Sequence, residues 1–209
     1  MRELPREPHD LGFTGGQHRR TFKQAWFRRA KNRGKYHELE LIRKLQRAGW
    51  KGKRIPVSGP FLSWCDVIAT RDSADLYRIG LFQLRPRKKS SAAWFNGKQA
   101  LSLLMLESMY KPTFHGDAIQ ISKVLVAILR HAKVVYHQLT PEDLLHVGLT
   151  DSLLSRISLD DPVGATRIMQ RMPSPIPVSA RGNPLANFYD YLGAVGITLH
   201  ADDQSNWSP

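Results

Sequence analysis

The stretch GKYHELELIRKLQRAGWKGKRIPVSG, residues 34–59, joins an amphipathic helix to a strand. Over 36–48, Leu41, Ile42, Leu45 and Ala48 recur on one stripe at helical spacing. Gly49 ends that helix in the manner of a C-cap. Glu40 lies four residues before Lys44, which supports an exposed face. Glu38 is different: it falls three, four and seven residues before Leu41, Ile42 and Leu45, and so shares the core-facing stripe. A carboxylate there either reaches water at the stripe's end or is aimed into a cleft. Arg54–Val57 then reads as a first strand, and Ser58-Gly59-Pro60 breaks it.

Downstream, Cys65–Thr70 and Leu76–Leu84 read as two further strands, with the polar turn Arg71–Asp75 between them. In the third strand Tyr77, Ile79, Leu81, Gln83 and Arg85 point one way, and Arg78, Gly80, Phe82 and Leu84 the other. Gln83 and Arg85 therefore leave one face at the strand's end, followed by the basic run RPRKK at 85–89. A helix is expected from about Ala93 to Met109, with Trp94 and Phe95 in its first turn. Ile119–Leu129 and Lys133–His137 read as buried strands joined by Arg130-His131-Ala132. Thr140-Pro141-Glu142-Asp143 announces another helix through an N-cap, a proline at the first helical position and early acids. The order of helix, three strands, helix, two strands and helix predicts an α/β sandwich around a mixed central sheet flanked by helices.

Outside that block the character changes. Residues 1–33 lack a sustained apolar face and read as a basic N-terminal extension. Residues 34–150 form the expected domain, and 151–209 a C-terminal extension. Within the latter, PSPIPVSARGNP at 173–184 is linker-like, Ala165–Met172 is a short helical segment, Leu185–Ile197 with Phe188, Tyr189, Tyr191 and Leu192 reads as a docking helix, and ADDQSNWSP is a frayed tail.

Charge is distributed as unevenly as structure. The 209 residues carry 31 Lys+Arg against 18 Asp+Glu, a formal net charge of +13. The balance is +7 over 1–35, +4 over 36–60, +3 over 61–110 and −1 over 111–209. A positive half beside a neutral half points to a polyanion partner, and nucleic acid is the commonest one inside a cell. The run HRRTFKQAWFRRAKNRGK at 18–35 interleaves Phe22, Trp26 and Phe27 with Arg19, Arg20, Lys23, Arg28, Arg29, Lys31, Arg33 and Lys35. That pattern suits phosphate contacts with occasional stacking, and is equally compatible with a partly helical arm docked on the domain.

Several classes find no support. One cysteine, Cys65, cannot make an internal disulfide, which excludes a secreted disulfide scaffold. The start MRELPREPHD has no apolar core, so a signal peptide is not expected, and the longest wholly apolar run, Val124 to Leu129, is far short of a membrane span. A cytoplasmic, nucleoid-associated protein with no membrane contact is expected. Phosphate-binding loops, dinucleotide fingerprints, zinc spacings and nucleophile elbows are all missing.

A set of polar residues remains at structurally sensible places: Glu38 on a helix stripe, Ser58 in a turn, Asp66 in a strand, Gln83 and Arg85 ending the next strand, and Gln99 on the following helix. This constellation resembles the archaeal Holliday junction resolvases, a branch of the PD-(D/E)xK nuclease superfamily. The matching text is residues 34–59 above, then CDVIA, FQLR, GKQALSLL and KVLVAILRHAKVVYHQLTPEDL, so the likeness covers roughly 30–147.

The resemblance implies a restriction-endonuclease-like fold and a metal site. In that family a helix Glu, a strand Asp and the Glu of an ExK tripeptide assemble Mg²⁺, with Mn²⁺ as a substitute; the metal activates water, and the Lys sits beside it. Carried over, Glu38 and Asp66 match the metal-site acids and Ser58 the serine after the first strand. Gln83 and Arg85 stand where Glu and Lys belong. Gln keeps an amide oxygen but loses the charge, and Arg binds phosphate yet is effectively never deprotonated. Lys98, Lys88 or Lys89 are candidate replacements for the missing ammonium.

The combined expectation is a binding protein with weakened or lost nuclease activity, a weakened Mg²⁺ site at Glu38, Asp66 and Gln83, and branched or four-way-junction DNA as partner. Arg54, Arg87, Lys88, Lys89, Lys98 and the N-terminal arm would contact phosphates. The alternatives are an active Mg²⁺-dependent structure-specific endonuclease of recombination and repair, and an RNA- or ribonucleoprotein-associated module. The family also implies a homodimer. Its candidate interface is the apolar residues of the second helix and final strands, which read equally well as core.

Overall fold

The computed structural model describes residues 32–55, 65–73, 76–86, 91–110, 118–129, 131, 133–155, 175–181 and 187–197. The chain divides into two compact units, Met1–Tyr36 and His37–Pro209. In the first, residues 32–36 are helical; the second is the body described below.

Helix α1 runs over 32–47 and gives way at Gly49, whose φ of 77° is reached at least strain without a side chain. Strands β1 (Lys51–Arg54), β2 (Val67–Ser73) and β3 (Leu76–Pro86) follow. After them come β4 (Ala92–Phe95), α2 (Gly97–Tyr110), β5 (Ile119–Ile128) and β6 (Val134–Gln138). Helices α3 (Pro141–His146) and α4 (Asp151–Leu154), strand β7 (Ile176–Ser179) and helix α5 (Phe188–Ala194) complete the order.

The main sheet has the order β1-β2-β3-β5-β6. Only β3 and β5 pair in parallel; the other three pairings are antiparallel. A parallel pair needs a crossover, which β4 and α2 supply. The fold is thus α/β, a mixed five-stranded sheet flanked by helices, as the order of elements predicts.

The sheet separates two apolar cores, and the alternation read in the third strand assigns its residues correctly. Ile79 and Leu81 join Leu101, Leu103 and Met105 of α2, whereas Phe82 and Leu84 join Leu41, Ile42 and Leu45 of α1. Thr140 caps α3 with a reciprocal Asp143 bond, and Pro141 occupies the first turn, as anticipated. Asp143 Oδ2 also meets His137 Nε2 at 2.6 Å. That contact and the Thr140 bonds outweigh burial and hold the Asp143 carboxyl below its usual range.

Three expectations need correction. The helix expected from Ala93 begins at Gly97, because Ala92–Phe95 pairs antiparallel with Ile176–Ser179 in a second, two-stranded sheet. Ala93 and Phe95 are fully buried there while Trp94 faces out, a period of two that overrides helical propensity. The same pairing shows that the linker-like 173–184 contains a core strand, with Ile176 and Val178 fully buried. Pro177, lacking an N–H, stands opposite Trp94 in this short ladder. The strand read from Arg54 begins earlier, at Lys51, and has ended by Ile55; residues 56–57 lie outside the described residues.

The docking helix expected within 185–197 is present as α5. Phe188, Tyr191 and Leu192 of α5 are buried in the core that α1 covers, and Tyr191 stacks on Tyr136 of β6 at 5.5 Å. The apolar residues of α2 and β5 proposed for a dimer interface, Leu101, Leu103, Met105, Val124 and Leu125 among them, are likewise buried within the single chain. They are core. Residues 165–172 lie outside the described residues. No described helix is long and apolar enough to cross a membrane.

Candidate functional site

Asp66 sits at the entrance to β2 with its backbone clamped on both sides. Its N–H donates to Phe82 O at 2.9 Å, and its carbonyl accepts the Ile55 N–H at 3.0 Å. The position is therefore set by the ladder, next to the end of β1 and the last turns of β3. Its side chain faces the β3 segment that carries Gln83.

One carboxylate oxygen takes two donors: Asp66 Oδ2 accepts the Leu84 N–H at 2.6 Å and Gln83 Nε2 at 2.7 Å. Gln83 is only 5% exposed, and its Oε1 is buried without a hydrogen-bond partner among the described residues. An amide whose N–H is held by a carboxylate leaves its oxygen turned elsewhere.

At the end of β1, Arg54 Nε donates to Glu38 Oε2 in a charge-assisted bond. The interior placement of Glu38 is thus explained by a partner: β1 turns Gly52 and Arg54 toward α1, and Arg54 neutralises the acid on the helix stripe. Gly52 faces Ile42 of α1, where a Cβ would lie 3.4 Å from its Cγ2.

The electrostatics follow from this packing. Burial pushes Asp66 up to about 6. The Leu84 N–H opposes that rise, the Glu38 charge adds to it, and Arg54 again opposes it. Two acids and one guanidinium therefore form a coupled set in which Arg54 is the cation. The neighbouring Cys65 thiol is pushed up to about 12 by burial and then by the Asp66 charge. It is a protonated core group and not a nucleophile.

Other candidates are placed as follows. Arg85 is half-buried near the end of β3, opposite Ala127 of β5. Gln99 belongs to the cap of α2: its backbone N–H donates to Asn96 Oδ1 at 3.0 Å, and its Oε1 accepts the Asn96 N–H at 3.0 Å. That reciprocal cap makes Gln99 a helix-start residue, and Lys98 precedes it on the same first turn, half-exposed. Arg33 and Lys35 lie exposed on the opening turns of α1. Ser58, Arg87, Lys88, Lys89, Arg19, Arg20, Lys23, Arg28, Arg29 and Lys31 lie outside the described residues.

Two features were not read from the sequence. The first is that Arg54 holds Glu38, beyond serving as a phosphate contact; no local signal announces a partner sixteen residues away. The second is a set of cations away from the acid pair, Arg43, Arg47, Lys51, Lys53, Arg71 and Arg78. Their signal was available in the KGKR alternation of β1 and in the exposed face of α1.

The donor set does not fit the Mg²⁺ that the family resemblance implies. Such an ion needs converging oxygens. Here Gln83 presents its amide N–H to Asp66, Glu38 is taken by Arg54, and the described residues contain no cluster of three His, Cys, Asp or Glu able to hold a metal. A separate groove of about 60 Å³ lies between α1 and the ends of β3, β5 and β6, with an apolar floor including Leu84 and Val126. His37, Glu40 and Lys44 form its rim.

No family model matches the chain, and no curated protein does. Among solved structures it is similar to Hjc of Archaeoglobus fulgidus, a Holliday junction resolvase from an archaeal hyperthermophile. The TM-score is 0.44 and the identity 12%, over 74% of this chain and 95% of that one.

Proposed function

We propose that this chain is a nucleic-acid-binding protein of resolvase-like architecture. It holds branched or double-stranded DNA by the phosphate backbone, and its acid pair no longer supports full phosphodiester cleavage. The basic half of the sequence and the correspondence of residues 30–147 to the resolvase pattern support the partner class. One observation carries the loss of cleavage: Asp66 Oδ2 is occupied by Gln83 Nε2 and the Leu84 N–H.

Hydrolysis of a phosphodiester requires a generated nucleophile and a counter-charge for the developing phosphorane. Glu38 is neutralised by Arg54 and Asp66 is hydrogen-bonded by an amide, so neither acid presents an uncommitted pair of oxygens. Arg85 keeps its proton and cannot act as a base, but its fork geometry suits a phosphate oxygen. Arg54 retains further N–H groups for the same task. The site thus becomes a phosphate-holding edge, with backbone contacts that position a duplex without reading its bases. Pairing of two copies, as the resemblance implies, is part of this reading and is measurable by sedimentation.

The test is a labelled four-way junction, a linear duplex and a structured RNA at matched salt, each in Mg²⁺ and in Mn²⁺. The wild type is compared with Asp66→Ala and with Gln83→Glu/Arg85→Lys. Binding of DNA without cutting, and cutting that emerges in the double variant, is the expected result. Wild-type cleavage that disappears in Asp66→Ala would overturn the loss of activity. Preference for the RNA would overturn the DNA partner.

A further inference from the structure

We propose that Trp94, on the outer face of the two-stranded sheet, is a stacking platform for an unpaired nucleobase of branched DNA. The proposal rests on the nucleic-acid reading above and adds to its phosphate contacts a contact with a base that has left the duplex.

Strand β4 alternates strictly. Ala93 and Phe95 are fully buried with Ile176 and Val178 of β7 in the core that α2 covers, whereas Trp94 keeps 46% of its surface in water. The inward residues fix the strand, so the indole is presented from a rigid base. Alternation at position 94 asks only for a side chain that tolerates solvent. An indole left half in water forgoes much of the burial that an aromatic ring usually contributes, and packing does not explain its choice. Pro177 stands directly opposite, at a cross-strand separation of about 5 Å between Cβ atoms. One such neighbour can cover a single side of the ring. Among the described residues no aromatic ring lies against the indole.

Single exposed apolar side chains are ordinary on a protein surface; the charge around this one is not. The described residues of the ribbon, 91–96 and 175–181, contain no acid and end in exposed Arg181. Lys98, four residues after Trp94, is half-exposed, and in sequence the run RPRKK at 85–89 leads into β4. Helix α3 flanks the ribbon, with His146 Nε2 meeting Pro175 O at 3.2 Å. Its acids lie at the other end of the helix, where Asp143 is held by His137 and Thr140 and Glu142 is exposed. Single-stranded nucleic acid is bound by this combination, bases stacking on a ring while cations follow the backbone. A second copy of the chain would bring like charge to the same patch, so charge favours nucleic acid over self-association.

Chain length keeps the platform near the acid pair. Trp94 follows Pro86, the last residue of β3, by eight residues and so lies at most about 29 Å from it. That is less than one ~34 Å turn of B-form duplex. An arm held at Arg54 and Arg85 can therefore offer a displaced base to Trp94.

The test is fluorescence anisotropy with three labelled DNAs at matched salt. They are a linear duplex, a duplex with a single-stranded thymine flap, and the same duplex with an abasic flap, which keeps every phosphate and removes only the bases. The wild type should bind the thymine flap about 5- to 100-fold more tightly than the abasic flap. Trp94→Phe should keep most of that ratio, and Trp94→Ala should lose it. Trp94→Thr, which retains β preference, repeats the alanine comparison should that variant melt early. Linear-duplex affinity and the salt slope should be the same in every protein, because an indole displaces no counterions. Equal affinity of the wild type for the two flaps would overturn the platform while leaving phosphate binding intact. So would a flap preference that survives in Trp94→Ala or Trp94→Thr, including the case in which sedimentation shows that these variants have lost a dimer instead. An equal loss on all three DNAs would also overturn it. A wild type that binds none of them would overturn both readings.

Discussion

Gln83 Nε2 donates to Asp66 Oδ2 at 2.7 Å, on the same oxygen that the Leu84 N–H reaches at 2.6 Å. A glutamate at position 83 would set two carboxylates at that separation inside a nearly dry site, and one of them would have to take a proton. Gln83→Glu is therefore expected to melt below the wild type at pH 8. Excess Mg²⁺ should restore it, since a ligand at a hundred times its Kd stabilises by about 2.7 kcal/mol. Thermal melts with and without the metal check this. A variant indifferent to Mg²⁺ would count against the acid pair as a former metal centre.

Asp66 also makes stability depend on pH. Its folded-state value, about 6, lies above the ordinary 3.8, chiefly through burial. Between those values the folded chain holds the proton more tightly than the unfolded chain. Stability therefore falls as pH rises across that window, and the loss is complete above it. Asp66→Asn keeps an acceptor for the Leu84 N–H and removes the charge. It should exceed the wild type by roughly 2–3 kcal/mol at pH 8, with the gain vanishing near pH 4. Urea melts at the two pH values measure the difference.

The Glu38–Arg54 pair holds in reserve a cation that a phosphate would otherwise attract. In Glu38→Gln the guanidinium loses its carboxylate, and the chain loses one negative charge. DNA affinity is expected to rise up to about tenfold and the salt slope to steepen by about one unit. Stability should fall by about 1–2 kcal/mol, because a part-buried charge loses its partner. Fluorescence anisotropy across a salt series reads the first two effects. Weaker binding in this variant would show that Glu38 itself is needed for DNA.

The role of α5 is testable through Tyr191. Its ring is fully buried against Phe82, Tyr136 and Phe188, and its hydroxyl has no hydrogen-bond partner among the described residues. Tyr191→Phe removes a desolvated hydroxyl and should gain about 1 kcal/mol, whereas Tyr191→Ala should cost about 3–5 kcal/mol.

Gly80→Ala probes the same core from β3. A Cβ there would lie 2.6 Å from Phe82 Cε2 and 2.8 Å from Cζ, so the ring must move against Tyr191. The expected cost is about 1–3 kcal/mol. If α5 were a detachable tail, neither substitution would alter the cooperative melt of the whole body.

The sequence by itself determined the elements whose signals are local. The stripe of Leu41, Ile42 and Leu45, the alternation of Ile79 and Leu81 against Phe82 and Leu84, and the Thr140 cap each depend on neighbours within a few residues. Periodicity and capping chemistry report them directly. The residues that make up the candidate site, Glu38, Asp66 and Gln83, were legible in the same way, by type and position. Tertiary structure alone decided what those residues do to one another. Ala92–Phe95 became a strand because its partner lies some eighty residues on, and burial of Ala93 and Phe95 outweighed helical preference. Glu38 met Arg54, Gln83 turned its amide to Asp66, and Arg71 came opposite Arg78 through strand register, which no one-dimensional spacing encodes. Charge and hydrogen bonding act through space, so the chemistry of this site became readable only once the sheet had brought its edges together.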